Sequence, residues 1–259
     1  MKVKFGPAGI GGIHEAISNL EKYKSFGISA CEIAFTYGTY ISKKEDAIKI
    51  GEAAKKLGIS LSIHAQYWIN LNSAEKEKVE KSKERILKCL EIGTWIGASR
   101  VVFHCGFYGK NTKEETYENI KLNLLEVIKK AKEKEYTPKI SPEIIGKKNV
   151  FGDIYEIGKL VNETGCSFCI DFAHVLARYG DYNFLEVAKT FGKYKEWHIH
   201  FSGIEYGKNG EKKHIRTKEE EIKKLLDNLP KDKEITIINE SPSPVEDSVF
   251  SLNIFEKCH

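Results

Sequence analysis

The chain of 259 residues is 41% hydrophobic and 30% charged, enough apolar material for a large core and too much for wholesale disorder. Its 41 basic and 37 acidic residues leave a net charge of +4, so a polyanion must be met by a local basic or metal-rich surface rather than by global attraction. No run approaches the roughly 18 apolar residues that a membrane span needs, and Met1–Gly6 carries neither a long apolar stretch nor a small-residue cleavage site. A soluble, cytoplasmic, monomeric protein with no membrane partner is expected.

Short β-branched or apolar runs predict strands at Lys2–Phe5, Ala30–Phe35, Ser60–His64, Arg100–His104, Lys139–Ile144, Cys166–Asp171, Glu196–Phe201 and Ile235–Asn239. Between and after them, helical periodicity predicts helices at Ile13–Phe26, Lys43–Leu57, Ala74–Ile96, Thr112–Lys134, Asp153–Asn162, Asn183–Phe191, Lys218–Leu229 and Val245–Phe255. Glycines mark several helix ends, and Asn162 is expected to serve the same purpose. Eight strand-then-helix units in a length close to the ~250 residues of a (β/α)8 barrel predict an α/β TIM barrel, and with no linker or composition break a single domain spanning 1–259.

Six cysteines are too sparse for a disulfide scaffold, and Cys166 and Cys169, inside an apolar run, are expected to be reduced core thiols. Four arginines, one glutamine and one methionine among many Lys, Glu and Ile give the bias of proteins from hot environments. Gly9, Gly11 and Gly12 fit neither a dinucleotide fingerprint nor a P-loop, so a tight turn is expected there. The mixed-sign run Glu75–Arg85 reads as a solvated helix face.

Chemistry in such a barrel is placed where strands end. Six successive predicted strands present an ionisable residue at or just beyond that end: His64, His104, Glu143, Asp171, His200 and Glu240. Carboxylates gathered at one mouth repel each other unless a cation holds them. Three imidazoles and three carboxylates suit zinc, manganese or iron, and six ligands exceed one tetrahedral set, pointing to a binuclear site with a shared carboxylate. His174, and His214 in the polar loop Gly207–His214, are positioned to begin a third site. His198 is expected to face away from His200, in the core or behind the ligands, and His14 and His259 are expected to be ordinary surface or terminal residues.

In order and spacing, Ile63-His64-Ala65-Gln66-Tyr67-Trp68, Phe103-His104-Cys105-Gly106, Pro142-Glu143, Cys169-Ile170-Asp171-Phe172-Ala173-His174 and Asn239-Glu240-Ser241-Pro242 resemble the endonuclease IV family of abasic-site DNA repair enzymes, within the xylose-isomerase-like barrels. The resemblance covers nearly the whole chain and implies up to three zinc ions. His64 and His104 would hold the first, Glu143 would bridge it to a second held by Asp171, His200 and Glu240, and His174 and His214 would belong to the third. The family's remaining third-site ligand, an Asp two residues before the last His, is Lys212 here, with Glu211 one residue out of register. The family's duplex-inserting arginine is absent, and Tyr40 stands near its place, while Tyr67 and Trp68 match the family's DNA wedge.

The implied reaction is hydrolysis of the phosphodiester 5′ to an abasic site in DNA, with Glu143 fixing the ion separation and Glu240 orienting the attacking hydroxide. Lys110, Lys147, Lys208, Lys212 and Lys213 are expected to contact the DNA backbone. The competing reading is a one-metal sugar isomerase or epimerase, with manganese as an alternative ion, in which Glu143, Asp171, His200 and Glu240 form the metal tetrad and two glutamates move a proton beside a carbonyl.

Overall fold

The computed structural model describes residues 2–258. Among them the elements run β1 (Lys2–Pro7), α1 (Ala16–Ser25), β2 (Ala30–Ala34), α2 (Lys44–Leu57), β3 (Ser60–His64), α3 (Lys76–Ile96), β4 (Arg100–Phe103), α4 (Lys113–Glu133), β5 (Lys139–Pro142) and α5 (Ile154–Thr164). They continue with β6 (Ile170–Asp171), α6 (Phe172–Tyr179), α7 (Phe184–Phe191), β7 (Glu196–Phe201), β8 (Gly203–Gly207), β9 (Gly210–Ile215), α8 (Glu219–Asn228), β10 (Glu234–Asn239) and α9 (Pro244–Cys258).

Two parallel ladders, β1-β10-β7-β6 and β2-β3-β4-β5, carry the eight barrel strands. Single parallel bridges close the ring where the ladders meet, Ala8 to Glu32 between β1 and β2 and Glu143 to Cys169 between β5 and β6. The result is the (β/α)8 barrel that the strand–helix alternation predicts. Strands covered on both faces need continuous apolar runs, and Val101, Val102 and Phe103 of β4 are all fully buried. Truncating Phe103 to Ala would cost about 3–5 kcal/mol on cavity grounds.

The outer helices are bound by one apolar stripe each. In α5, Ile154, Ile157, Leu160 and Val161 recur at helical spacing and are buried. Asp153 caps its start, accepting from the Tyr155 and Glu156 amides while Glu156 reaches back, so the orphan donors of the first turn are satisfied.

Four expectations are corrected. The run Cys166–Asp171 forms a strand only at Ile170–Asp171. Asn162 lies inside α5, which continues to Thr164. Residues 172–179, which follow β6 without a break, form a helix where none is predicted. The polar loop Gly207–His214 belongs to an antiparallel hairpin, β8 with β9. The glycine segment after β1 packs as a turn, with the Gly9 amide donating to the Glu32 carbonyl at 2.7 Å and the Tyr23 hydroxyl to the Gly9 carbonyl at 3.0 Å. His14 is exposed, and His259 falls outside the described residues.

Candidate metal centre

Register brings the ionisable residues to one mouth of the barrel. Asp171 of β6 lies opposite His200 of β7, and Glu240 follows directly on β10, whose Ile238 is the partner of His200. On the other ladder His64 ends β3, while His104 and Glu143 follow β4 and β5. The six strand-end residues and His174 and His214 fall into three overlapping groups whose ligand atoms lie within 4.8 Å of one another: His64, His104 and Glu143; Glu143, Asp171, His200 and Glu240; and Asp171, His174 and His214.

Glu143 joins the first two groups by turning a different oxygen to each. Its Oε2 is 3.1 Å from both His64 Nε2 and His104 Nε2, and its Oε1 is 3.3 Å from both His200 Nδ1 and His174 Nδ1. His200 Nδ1 also stands 3.4 Å from Glu240 Oε1.

Four of the imidazoles have one ring nitrogen engaged from outside, which aims the other inward. His64 Nδ1 pairs with the Ala65 carbonyl at 2.8 Å, His174 Nδ1 with the Ile144 carbonyl at 3.0 Å, and His214 Nδ1 with the Ser202 hydroxyl at 2.6 Å. His200 is oriented in the opposite sense, with Nε2 2.9 Å from Glu32 Oε1 and Nδ1 toward the centre. Outer partners of this kind fix the tautomer and direction of metal-binding histidines. Asp171 is held similarly: its Oδ1 accepts from the His174 amide at 2.8 Å, capping α6, which leaves Oδ2 for the centre.

Burial and charge make the cluster costly without a cation. Glu143, Asp171 and His200 are completely buried. Asp171 Oδ2 and His200 Nε2 have no hydrogen-bond partner, since the near approaches to His174 and Glu32 lack hydrogen-bond geometry. Burial pushes the Asp171 carboxyl up to about 7, even against the pull of His174. Burial also raises Glu143 and Glu240, but the surrounding imidazoles outweigh it, holding Glu143 well below the carboxylate range and Glu240 at about 2. For His64, burial works against the charged form, yet Glu143 lifts its pKa to about 9. The metal-free cluster is thus held together by protons on imidazoles, and divalent ions replace those protons in a donor set of imidazoles and carboxylates. The residues present fit such ions.

Two groups lie where the sequence reading did not put them. His198 shares a face with His200, as residues two apart in a strand must, and both meet Glu32: His198 Nε2 is 3.0 Å from Glu32 Oε2. Glu32, fully buried in the middle of β2, escapes a reading confined to strand ends; a carboxylate inside an otherwise apolar inward face was the available signal. Cys169 forms a further close trio with His198 and His200, and burial pushes its thiol well up, which keeps it protonated.

The mouth is ringed by aromatic residues. Tyr67 is half-exposed and stands edge-on to His64 at 5.8 Å, Trp68 is half-exposed beneath the Arg85 guanidinium at 6.0 Å, and Phe107 is half-exposed at the same rim. Tyr40, which stands near the place of the absent arginine, has a half-buried ring, edge-on to Phe35 at 5.2 Å. Tyr37, 83% exposed and edge-on to Tyr67, is the free aromatic of that loop. A cavity of about 330 Å³ lined by His64, Tyr67, His104, Lys147, His174 and Glu240 opens over the cluster. A larger one of about 520 Å³ lies at the opposite end of the barrel, against Pro138, Gly165 and Tyr194, away from the ligand-type groups.

A family model described as xylose isomerase-like TIM barrel matches residues 20–238. An uncharacterized protein of Methanocaldococcus jannaschii is 35% identical over 98% of this chain and 97% of its own length. A probable endonuclease 4 of Thermoplasma volcanium is 32% identical over 54% of this chain and 48% of its own length. Among solved structures, SacUVDE superposes with a TM-score of 0.78 at 16% identity, covering 100% of this chain and 99% of its own. Endonuclease IV from Thermus thermophilus gives 0.71 at 20%, covering 99% and 98%, and a D-tagatose 3-epimerase-like protein gives 0.72 at 19%, covering 99% and 96%. At these identities the structural likenesses show the fold alone. No helix among the described residues is long and apolar enough to cross a membrane.

Proposed function

Since the chain belongs to the xylose isomerase-like TIM barrel family, whose scaffold hosts more than one chemistry, we propose from its site that it is a zinc-dependent endonuclease that hydrolyses the phosphodiester 5′ to abasic sites in DNA. The observation that carries this is the split allegiance of Glu143, one oxygen toward His64 and His104 and the other toward His200. A carboxylate so placed suits two ions a short distance apart, the arrangement used for in-line displacement at phosphorus. The relative named as a probable endonuclease 4 adds support over half of the chain.

Zinc bound here would supply positive charge to offset the charge that grows on the phosphoryl oxygens and to make hydroxide available near neutral pH. His64, His104, Asp171, His200 and Glu240 would hold the ions, Glu143 would set their separation, and His174 and His214 would take part in a third position. Glu240, at the open side of the cluster, would orient the attacking water. Tyr67 and Trp68 would fill the space left in the base stack when the abasic nucleotide turns out, a movement made cheap by the missing base. Exposed lysines at the rim, Lys110, Lys147 and Lys208, would meet the phosphates of the flanking duplex.

The second reading, a one-metal sugar epimerase, draws on the compact tetrad Glu143, Asp171, His200 and Glu240. It leaves the inward-aimed nitrogens of His64 and His104 without a role. Elemental analysis of the purified protein, paired with a nicking assay on an oligonucleotide bearing one abasic analogue, separates the two. Two or more zinc ions per chain with incision supports the endonuclease; one manganese without incision overturns it in favour of the sugar enzyme.

A further inference from the structure

The loop between β5 and α5, residues 143–153, supplies one wall of the cavity over the cluster, through Ile145, Lys147 and Val150. The same three residues turn their carbonyls to a single side chain. Arg178 Nη1 donates to the Ile145 carbonyl at 3.1 Å, the Lys147 carbonyl at 2.7 Å and the Val150 carbonyl at 3.0 Å, and Nη2 reaches the Tyr108 hydroxyl at 3.4 Å. Arg178 is buried in the last turn of α6, four residues after His174 and so on the same helix face. Its guanidinium thus supports the wall from inside the fold.

Backbone pairing within the loop holds only its ends and its tip. The Ile145 amide donates to the Gly152 carbonyl at 2.8 Å, and the Val150 amide to the Lys147 carbonyl at 3.2 Å. Single bridges from Val150 to Phe107 and from Lys147 to Gly210 fix its two flanks. Carbonyls drawn inward from three points along such a loop need a donor, because a buried carbonyl without one is costly. The planar fork of an arginine presents its donors in fixed directions, which the freely turning ammonium of a lysine does not. Lys147 is the exposed member of this wall, and the shortest of the three bonds falls on its own carbonyl.

We propose that Arg178 is a positioning residue for substrate binding, which by gripping the carbonyls of Ile145, Lys147 and Val150 sets where the Lys147 ammonium meets a phosphate of the bound strand. This rests on the endonuclease reading above and adds to it a residue that acts on DNA only through another. A phosphate contact made equally in the ground state and the transition state lowers KM and leaves kcat alone. Each such contact contributes about 1 to the slope of log K against log salt.

The test is incision and binding of a duplex bearing one abasic analogue, at several salt concentrations, by wild type, Arg178→Met, Lys147→Ala and the double variant. All are assayed well below the melting temperatures read by circular dichroism. Should Arg178→Met fail to fold, Arg178→Lys keeps the charge and loses the fork. The arginine variant is expected to raise KM several-fold at unchanged kcat and to lower the salt slope by about 1, with no further fall in slope when Lys147 is already alanine. An arginine with a structural role alone would lower the melting temperature and leave the slope of the folded protein as it is, which overturns the proposal. So does a slope that falls again in the double variant, or a loss confined to kcat. Wild type that neither binds nor incises the duplex overturns the endonuclease reading itself, and the proposal with it.

Discussion

Glu32 Oε1 stands 2.9 Å from His200 Nε2, on the side of the imidazole away from Glu143. The other Glu32 oxygen accepts from the Ser62 hydroxyl at 2.7 Å and lies 3.0 Å from His198 Nε2, so one buried carboxylate ties β2, β3 and β7 together below the site. Burial alone would raise its pKa, but His200 and His198 hold it well below the usual carboxylate range, and it stays charged. At that distance the carboxylate attracts the His200 ring by charge and favours the orientation that turns Nδ1 toward the centre. Glu32→Gln is expected to weaken zinc binding about 10–100-fold, as loss of outer partners does elsewhere, measured by competition with a chromophoric chelator. Unchanged affinity would show that His200 needs no such support. Glu32→Ala, which leaves buried polar groups without partners, is expected to lose about 1–3 kcal/mol of stability besides.

The two carboxylates assigned to the reaction predict a separation of activity from folding. Glu143→Gln and Glu240→Gln keep the shape of the side chain while removing its charge, so incision of abasic DNA is expected to vanish with the circular dichroism spectrum unchanged. Glu143→Gln is expected to lose metal as well, because both oxygens face ligands. A fully active Glu240→Gln protein would contradict its role in orienting water.

Much of this centre was legible because a parallel barrel converts strand order into spatial order. The strands Ser60–His64 and Glu196–Phe201 have the bounds that their apolar runs imply. What escaped did so for physical reasons. In α6, the residue that caps the helix is also the strand's final carboxylate, so Asp171 looked like an ending and not a beginning. Lys212-Lys213 and Glu211 give β9 no apolar face for a period of two to reveal, and a hairpin cannot be read from alternation that is not there. Glu32 was hidden by its position in mid-strand, although a charge so deeply buried demands partners.

Metal-free protein should show an inverted dependence on pH. The pKa of His64 rises on folding from 6.5 to about 9, where Glu143 outweighs the burial that opposes it. The folded state therefore holds its proton more tightly than the unfolded chain, and that stabilisation is complete below pH 6.5 and is lost as pH climbs through 9. The Asp171 carboxyl, raised by burial from 3.8 to about 7, acts in the same direction at lower pH. Chelator-stripped protein is thus expected to melt at a lower temperature at about pH 9 than at about pH 6.5. Zinc competes with the same protons, so its affinity is expected to rise over that interval. Scanning calorimetry with and without zinc reads both slopes. A stripped protein that gains stability over that interval would contradict the protonated cluster.

DNA binding should divide into a stacking part and a charge part that respond differently to salt. Tyr67 and Trp68 are half-exposed at the mouth, and Tyr37, exposed and edge-on to Tyr67, extends the same rim. Base–aromatic stacking is worth about 1–3 kcal/mol per base, so Tyr67→Ala or Trp68→Ala is expected to weaken binding to an abasic duplex about tenfold or more without altering the salt slope. Tyr37→Ala is expected to act in the same way, and Tyr40→Ala, whose ring is packed on Phe35, to act on stability instead. Lys147, exposed beside the cavity, is a point charge for phosphate. Its replacement by alanine is expected to reduce the slope of log K against log salt by about 1 and to weaken intact and abasic duplexes alike. Fluorescence anisotropy titrations at several salt concentrations measure all of these. A Tyr67→Ala protein that binds abasic DNA as tightly as wild type, or a Lys147→Ala protein with an unaltered slope, would remove that residue from the DNA interface.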